Sequence, residues 1–179
     1  QGVEAAANIC ALAKAAGVDT AVLAVVKANA YGHGAEVCAP VLVRAGAKWL
    51  GVTDAAEGAA VRAALLAAGG AEARLPRILV MCGLLAEEAE AVVEHGLTAV
   101  VWERQQIELL AAAVRRGAEP LAVHLEIDTG MARQGVVVGS ELRELLRRLA
   151  AQKDILLDGV MTHFASAEVV GSALTRVQR

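Results

Sequence analysis

A short apolar segment, a polar loop and an alanine-rich segment ending at glycine follow one another repeatedly along this chain, and that beat leaves few folds open. The apolar segments 21–27, 48–53, 77–82, 98–102, 121–127 and 155–161 read as strands, the first of them buried on both faces as in parallel sheets. Helices fit between them at 4–16, 35–45, 55–68, 85–95, 104–116 and 140–151. Ile107, Leu110, Ala111 and Val114 fall at helical spacing, as do Leu142, Leu145, Leu146 and Leu149, so each set makes a stripe able to cover a sheet. Gly17, Gly46, Gly69, Gly96 and Gly117 stand where helices should end, and Asp54 and Ser140 stand where N-caps belong. Pro40 conflicts mildly with the second helix, which is expected to start late or to bend there.

Strands alternating with helices predict an α/β fold with a parallel sheet, either doubly wound or a barrel. No glycine-rich dinucleotide fingerprint follows the first strand, and no P-loop pattern occurs anywhere, which tilts the expectation to a barrel. A closed (β/α)8 TIM barrel takes ~250 residues. The 179 residues here hold about six strand–helix units and begin at Gln1 rather than Met. We therefore expect an incomplete barrel of the TIM-barrel type, part of a longer protein.

Composition narrows the function. With 56% hydrophobic residues much of the chain must be interior, yet charge interrupts every apolar stretch well short of the roughly 20 residues that span a bilayer. The first residues lack the basic start and apolar core of a secretion signal, so a cytoplasmic location is expected. A net charge of -3, from 17 basic and 20 acidic residues interspersed, leaves no footprint for nucleic acid or an anionic membrane. The aromatics Tyr31, Trp49, Trp102 and Phe164 are too scattered to stack bases, and both tryptophans read as packing residues. Cys10, Cys38 and Cys82 form no Cys-x-x-Cys pair, and His33, His95, His124 and His163 show no zinc-type spacing. His95 and His124 read as structural, and His33 as a loop residue without a catalytic role.

Chemistry-bearing residues gather at three strand ends. Lys27, Tyr31 and His33 follow the first strand; the run from His124 to Arg133 ends the fifth; Thr162, His163, Phe164 and Ala165 follow the sixth. In a barrel all three clusters face one mouth, where ligands bind. A lysine flanked by apolar residues is able to act as a neutral amine and form a Schiff base with a carbonyl compound. Equally, it could mark the strand end and reach out to water. Lysine, arginine and histidine around one cavity suit an aldehyde cofactor that carries an anionic group.

The segment Ala24-Val25-Val26-Lys27-Ala28-Asn29-Ala30-Tyr31-Gly32-His33-Gly34 resembles the pyridoxal-phosphate attachment motif of alanine racemases. Asp128-Thr129-Gly130-Met131 with Arg133, and Thr162-His163-Phe164-Ala165, resemble two further segments of that family in the same order. The likeness covers residues 1–179, but only about the first half of the family's chain; the last barrel strands and the C-terminal β-domain are absent. It implies pyridoxal 5'-phosphate held by Lys27, which would also be the base on one face of the substrate α-carbon. It implies further that Tyr31 reaches the cofactor phosphate, that Arg133 bonds the ring hydroxyl and the substrate carboxylate, and that His163 packs on the pyridine ring. The implied activity is interconversion of L- and D-alanine, supplying D-alanine for cell-wall peptidoglycan, by a cytoplasmic homodimer. The second base is a tyrosine of the partner subunit's C-terminal domain, so this chain alone is expected to be inactive. Where many members carry a carbamylated lysine, this sequence has Glu126, expected to support Arg133. That departure leaves open a racemase for serine or a broader set of amino acids. A barrel protein that binds pyridoxal phosphate without turnover is the other alternative.

Overall fold

A computed structural model describes residues 2–17, 20–69, 75–114 and 118–179. The chain divides into two compact units, one of Gln1–Met81 with Ala91–Thr98 and one of Cys82–Glu90 with Ala99–Arg179.

The first unit holds α1 (Gly2–Ala16), β1 (Leu23–Val25), a short helical turn α2 (Lys27–Tyr31), α3 (Ala35–Arg44), β2 (Trp49–Val52), α4 (Ala55–Ala67) and β3 (Arg77–Val80). Its strands are parallel, with Leu23 opposite Trp49, Val25 opposite Gly51, Trp49 opposite Arg77 and Val52 opposite Val80. Leu50, Val52, Ile78 and Val80 are fully buried, and Val61 and Leu65 of α4 are buried with them. This is the double-sided burial that the unbroken apolar runs imply. Trp49 packs under the guanidinium of Arg77, 4.1 Å from its ring centroid, so its indole offers a cation a π face. Asp54 caps α4 as expected, its Oδ1 accepting the Glu57 N–H at 2.8 Å. Pro40 sits inside α3 with its side chain buried, and the helix nonetheless begins at Ala35 rather than later.

A 3-10 turn (Ala86–Glu88) leads into α5 (Ala89–Glu94), which lies where one longer helix was expected and spans both units. β4 (Thr98–Val101) begins at the edge of the first unit and runs into the second. The second unit continues with α6 (Arg104–Ala113), β5 (Leu121–Asp128), β6 (Val136–Val137), α7 (Ser140–Ala151), β7 (Ile155–Met161) and α8 (Ala173–Gln178). β5 pairs in parallel with β4 through Ala99–Val123 and Val101–Leu125, and with β7 from Leu121–Ile155 to Glu126–Met161. The register shifts between Val123 and His124, which brings His124 opposite Gly159. Gly159 is needed there, because a Cβ would stand 2.6 Å from the His124 ring. His124 faces Asp158 across the pair at 3.5 Å, in keeping with a structural role.

The helical stripes fall as their spacing requires: Ile107 and Leu110 of α6 and Leu145 and Leu149 of α7 are buried, while Leu146 is exposed. Ser140 is the first residue of α7 and not its cap; Gly139 takes that position and offers no side chain. The two-residue strand β6 was not foreseen, because Gly135 and Gly139 hide so short a run. The helix-ending glycine expected at Gly117 lies outside the described residues, as do residues 115 and 116 of the expected fifth helix. Among the described residues no helix is long and apolar enough to cross a membrane, and no cluster of three metal-binding side chains occurs.

Candidate active site

In both units residues singled out above lie at or just past the carboxyl ends of parallel strands. In the first unit β1 ends at Val25, two residues sooner than expected, and Lys27 opens α2. Val26 is the anchor: its side chain is buried, its N–H donates to Gly51 O at 2.8 Å, and its carbonyl accepts from Ala30 N–H at 2.8 Å. The next residues wind the other way. Ala28, Asn29, Ala30 and Tyr31 have φ of 51°, 54°, 54° and 54°, a left-handed turn built without glycine. A Cβ in that region crowds the carbonyl oxygen at roughly 1–2 kcal/mol per residue. Such a turn persists only where its surroundings over-determine it.

Four contacts do so. Ala28 N–H donates to Glu57 Oε1 at 2.7 Å, and Thr53 N–H donates to Glu57 Oε2 at 2.8 Å, so one carboxylate joins the turn to the end of β2. Asn29 Oδ1 accepts the Ala35 N–H at 2.8 Å, which starts α3, and the Ala30 side chain is buried beneath. Lys27 is half-buried, and its side chain forms no hydrogen bond or ion pair among the described residues. Tyr31, on the same turn, is 63% exposed. The amine and the phenol therefore share one rigid segment and are both uncommitted.

A cavity of about 280 Å³ adjoins the turn on the side of Val26, Asn29, Glu36 and Glu57, and Lys27 does not line it. A larger one, about 520 Å³, lies by the amino-terminal end of β3. There Arg62 is spent on carbonyls: its Nε, Nη1 and Nη2 donate to His95 O, Pro76 O and Gly96 O at 3.1, 3.0 and 3.1 Å. That cavity is bound up with holding the fold.

In the second unit β5 delivers Glu126, Asp128 and Thr129. Asp128 Oδ1 accepts the N–H groups of Gly130 and Ala132 at 2.9 and 3.1 Å, folding the chain back sharply. These backbone donors, Gly130 foremost and then Ala132, hold the Asp128 carboxyl below its usual range. The sign follows. A carboxyl with a lowered folded pKa contributes stability that is full above its unfolded value, about 3.9, and lost as pH falls through the folded value. Urea midpoints measured from pH 7 down to pH 2.5 should show Asp128→Asn losing less stability on acidification than the parent. Parallel profiles would contradict this.

The turn carries Ala132, at φ 56°, and Arg133, which is exposed and has no partner among the described residues. Here one expectation is corrected. Glu126, 1% exposed, does not support Arg133; its Oε2 accepts from Gln134 Nε2 at 2.6 Å. The chain reversal after Asp128 turns residue 134, not 133, back along β5, and an amide satisfies the buried carboxylate.

At the end of β7, Thr162 Oγ1 lies 2.7 Å from Thr129 Oγ1, tying β7 to β5. Gln178, the buried last residue of α8, completes the tie. Its Nε2 donates to Thr129 Oγ1 and His163 O at 3.2 and 3.1 Å, and its Oε1 accepts from Ala165 N–H at 3.0 Å. His163 is thereby fixed through its backbone while its ring is exposed. Sequence reasoning missed Glu57 and Gln178 as site-building residues. Glu57 carried the signal of a first-turn glutamate only, and Gln178 carried none.

A family profile described as alanine racemase, N-terminal domain, matches residues 4–179. The chain belongs to that family. An alanine racemase of Symbiobacterium thermophilum is 38% identical to this chain over 156 residues, 87% of the chain and 39% of that protein. The solved alanine racemase of Streptomyces coelicolor A3(2) superposes with a TM-score of 0.88 at 32% identity, over 99% of the chain and 46% of its own. A histidine racemase of Leuconostoc mesenteroides shares the fold, with a TM-score of 0.85 at 23% identity over 99% of the chain and 45% of that protein. The fold class is thus the expected one, the barrel type of the alanine racemase N-terminal domain, and the chain spans less than half the length of these relatives.

Proposed function

We propose that this racemase domain is the N-terminal part of a pyridoxal 5'-phosphate-dependent alanine racemase, interconverting L- and D-alanine in the cytoplasm and so supplying D-alanine to cell-wall peptidoglycan. The observation that carries the reading is Lys27, an uncommitted, half-buried amine at the head of a strained turn. The donor set suits the cofactor: an amine for its carbonyl, the Tyr31 hydroxyl for phosphate oxygens, and the planar Arg133 guanidinium for a ring hydroxyl and a substrate carboxylate. When bound, pyridoxal phosphate supplies an electron sink that makes the substrate α-hydrogen removable. The protein's own part is to orient groups and move protons. Lys27 Nζ would be the attachment point and would take or return the proton on one face of the α-carbon. Tyr31 would hold the phosphate, Arg133 would orient the carboxylate, and His163 would pack its ring on the pyridine. Glu126 supports β5 and its turn through Gln134.

A base for the opposite face is needed, and Tyr31 is the single tyrosine of this chain. It comes from a partner subunit in a homodimer. The substrate is a small amino acid, with no nucleic-acid or membrane partner. A racemase for serine or a broader range of amino acids is the second reading. It draws on Glu126, since an Arg133 with no carboxylate partner among the described residues holds the substrate carboxylate less firmly in one pose. A pyridoxal-phosphate-binding protein without turnover is the reading from another class.

With a base on one face only, the chain plus pyridoxal phosphate in D2O should exchange the α-hydrogen of one alanine enantiomer without inverting it. Proton NMR of L- and D-alanine reads this directly. Exchange that persists in Lys27→Ala, or none with either enantiomer, would count against the proposal.

A further inference from the structure

We infer that Glu57 is the positioning residue for Lys27, the carboxylate that holds the left-handed turn in the one geometry that aims the lysine; this rests on the reading of Lys27 as the attachment point. Lys27 is gripped on both sides. Before it, Val26 continues the pairing of β1 with β2 through Gly51 O. After it, Ala28 N–H, the first amide of the left-handed turn, meets Glu57 Oε1 at 2.7 Å. The other oxygen, Oε2, takes the Thr53 N–H at the end of β2, at 2.8 Å. Glu57 stands in the first turn of α4, where its own N–H donates to the Asp54 cap, while both carboxylate oxygens reach beyond the helix to the two amides. One side chain therefore couples the register of β1 and β2 to the direction in which Lys27 leaves the backbone.

The chemistry requires a carboxylate. Both groups it meets are donors, so both of its oxygens must accept, and charge-assisted bonds to backbone N–H are the strong kind. A glutamine keeps the shape and loses one acceptor: its NH2 would face an N–H head-on. An aspartate on the same helix is one methylene short. Glu57 is not a proton carrier, since both oxygens are engaged by the backbone, and it acts only through Ala28. Glycines in the turn would have removed the need for such a clamp; three of the four residues here are alanine or tyrosine, for which φ above zero is unfavourable.

The test compares the parent chain with Glu57→Gln and with Asp54→Ala, which weakens the cap of α4 yet leaves the Glu57 carboxylate in place. Two quantities are read: amide hydrogen exchange at Ala28 and Thr53 by NMR, and the rate at which Lys27 is labelled by pyridoxal phosphate and fixed with borohydride, by peptide mass. In Glu57→Gln, protection of the Ala28 amide should be lost, and Lys27 labelling should slow by about tenfold or more, the ratio expected for losing a bond to a charged group. In Asp54→Ala, labelling should stay near the parent rate despite a lowered unfolding midpoint. Unchanged Ala28 protection in Glu57→Gln overturns the inference, as does slowing of Lys27 that merely keeps step with Asp54→Ala. If the parent is not labelled at Lys27, the attachment reading fails, and the Ala28 amide still decides whether Glu57 is the clamp.

Discussion

Replacing Lys27 with alanine is expected to abolish covalent capture of pyridoxal phosphate while leaving the fold intact. The side chain makes no hydrogen bond or ion pair among the described residues, so its removal orphans no buried group. A half-buried lysine cut back at an uncommitted site should change stability by roughly 0.5 kcal/mol or less. The chemical effect is much larger. An amine presented from a fixed turn reacts as an intramolecular partner of anything bound beside it, whereas the remaining lysines compete only from solution. The parent should develop a long-wavelength absorption band that survives gel filtration, and Lys27→Ala should develop none above the background of its other lysines. A variant that keeps the band would place the attachment elsewhere.

The second large effect is structural. Gly135 has a φ of 101°, and a Cβ there would lie 2.7 Å from Asp128 N and 3.1 Å from Ile127 C. Those neighbours are backbone atoms of β5 and cannot swing aside as a side chain would. Gly135→Ala therefore adds conformational strain to a steric overlap, together roughly 2–5 kcal/mol. What must give is β6, whose Val136 pairs with Ile127, and with it the loop that carries Arg133 and the Gln134 bond to Glu126. Urea unfolding should show the loss. A change below about 1 kcal/mol would mean that this crossing is slack.

Much of this was legible beforehand, for physical reasons. Strands buried on both faces leave unbroken apolar runs, and helices covering them leave stripes such as Leu145 and Leu149, so the alternation emerged from hydrophobicity alone. Asp54 acted as the cap its chemistry favours. What escaped notice was set by tertiary contact. Nothing in Ala28-Asn29-Ala30-Tyr31 announces a left-handed turn; alanine prefers the opposite hand, and the deciding carboxylate stands on Glu57 in another helix. The expected pairing of Glu126 with Arg133 yielded to Gln134 because the turn built on Asp128 determines which residue returns to β5. Ser140 lost the cap of α7 to Gly139 by a single residue. Chemistry-bearing residues were thus singled out by type and place along the chain, and their partners emerged only in the fold.

The most direct test of the account is to find which amine carries the cofactor. The chain has four lysines, Lys14, Lys27, Lys48 and Lys153. After brief treatment with stoichiometric pyridoxal phosphate and borohydride, peptide mass mapping should place the label overwhelmingly on Lys27. A label spread evenly over the four, or concentrated on any of the other three, would contradict the central claim.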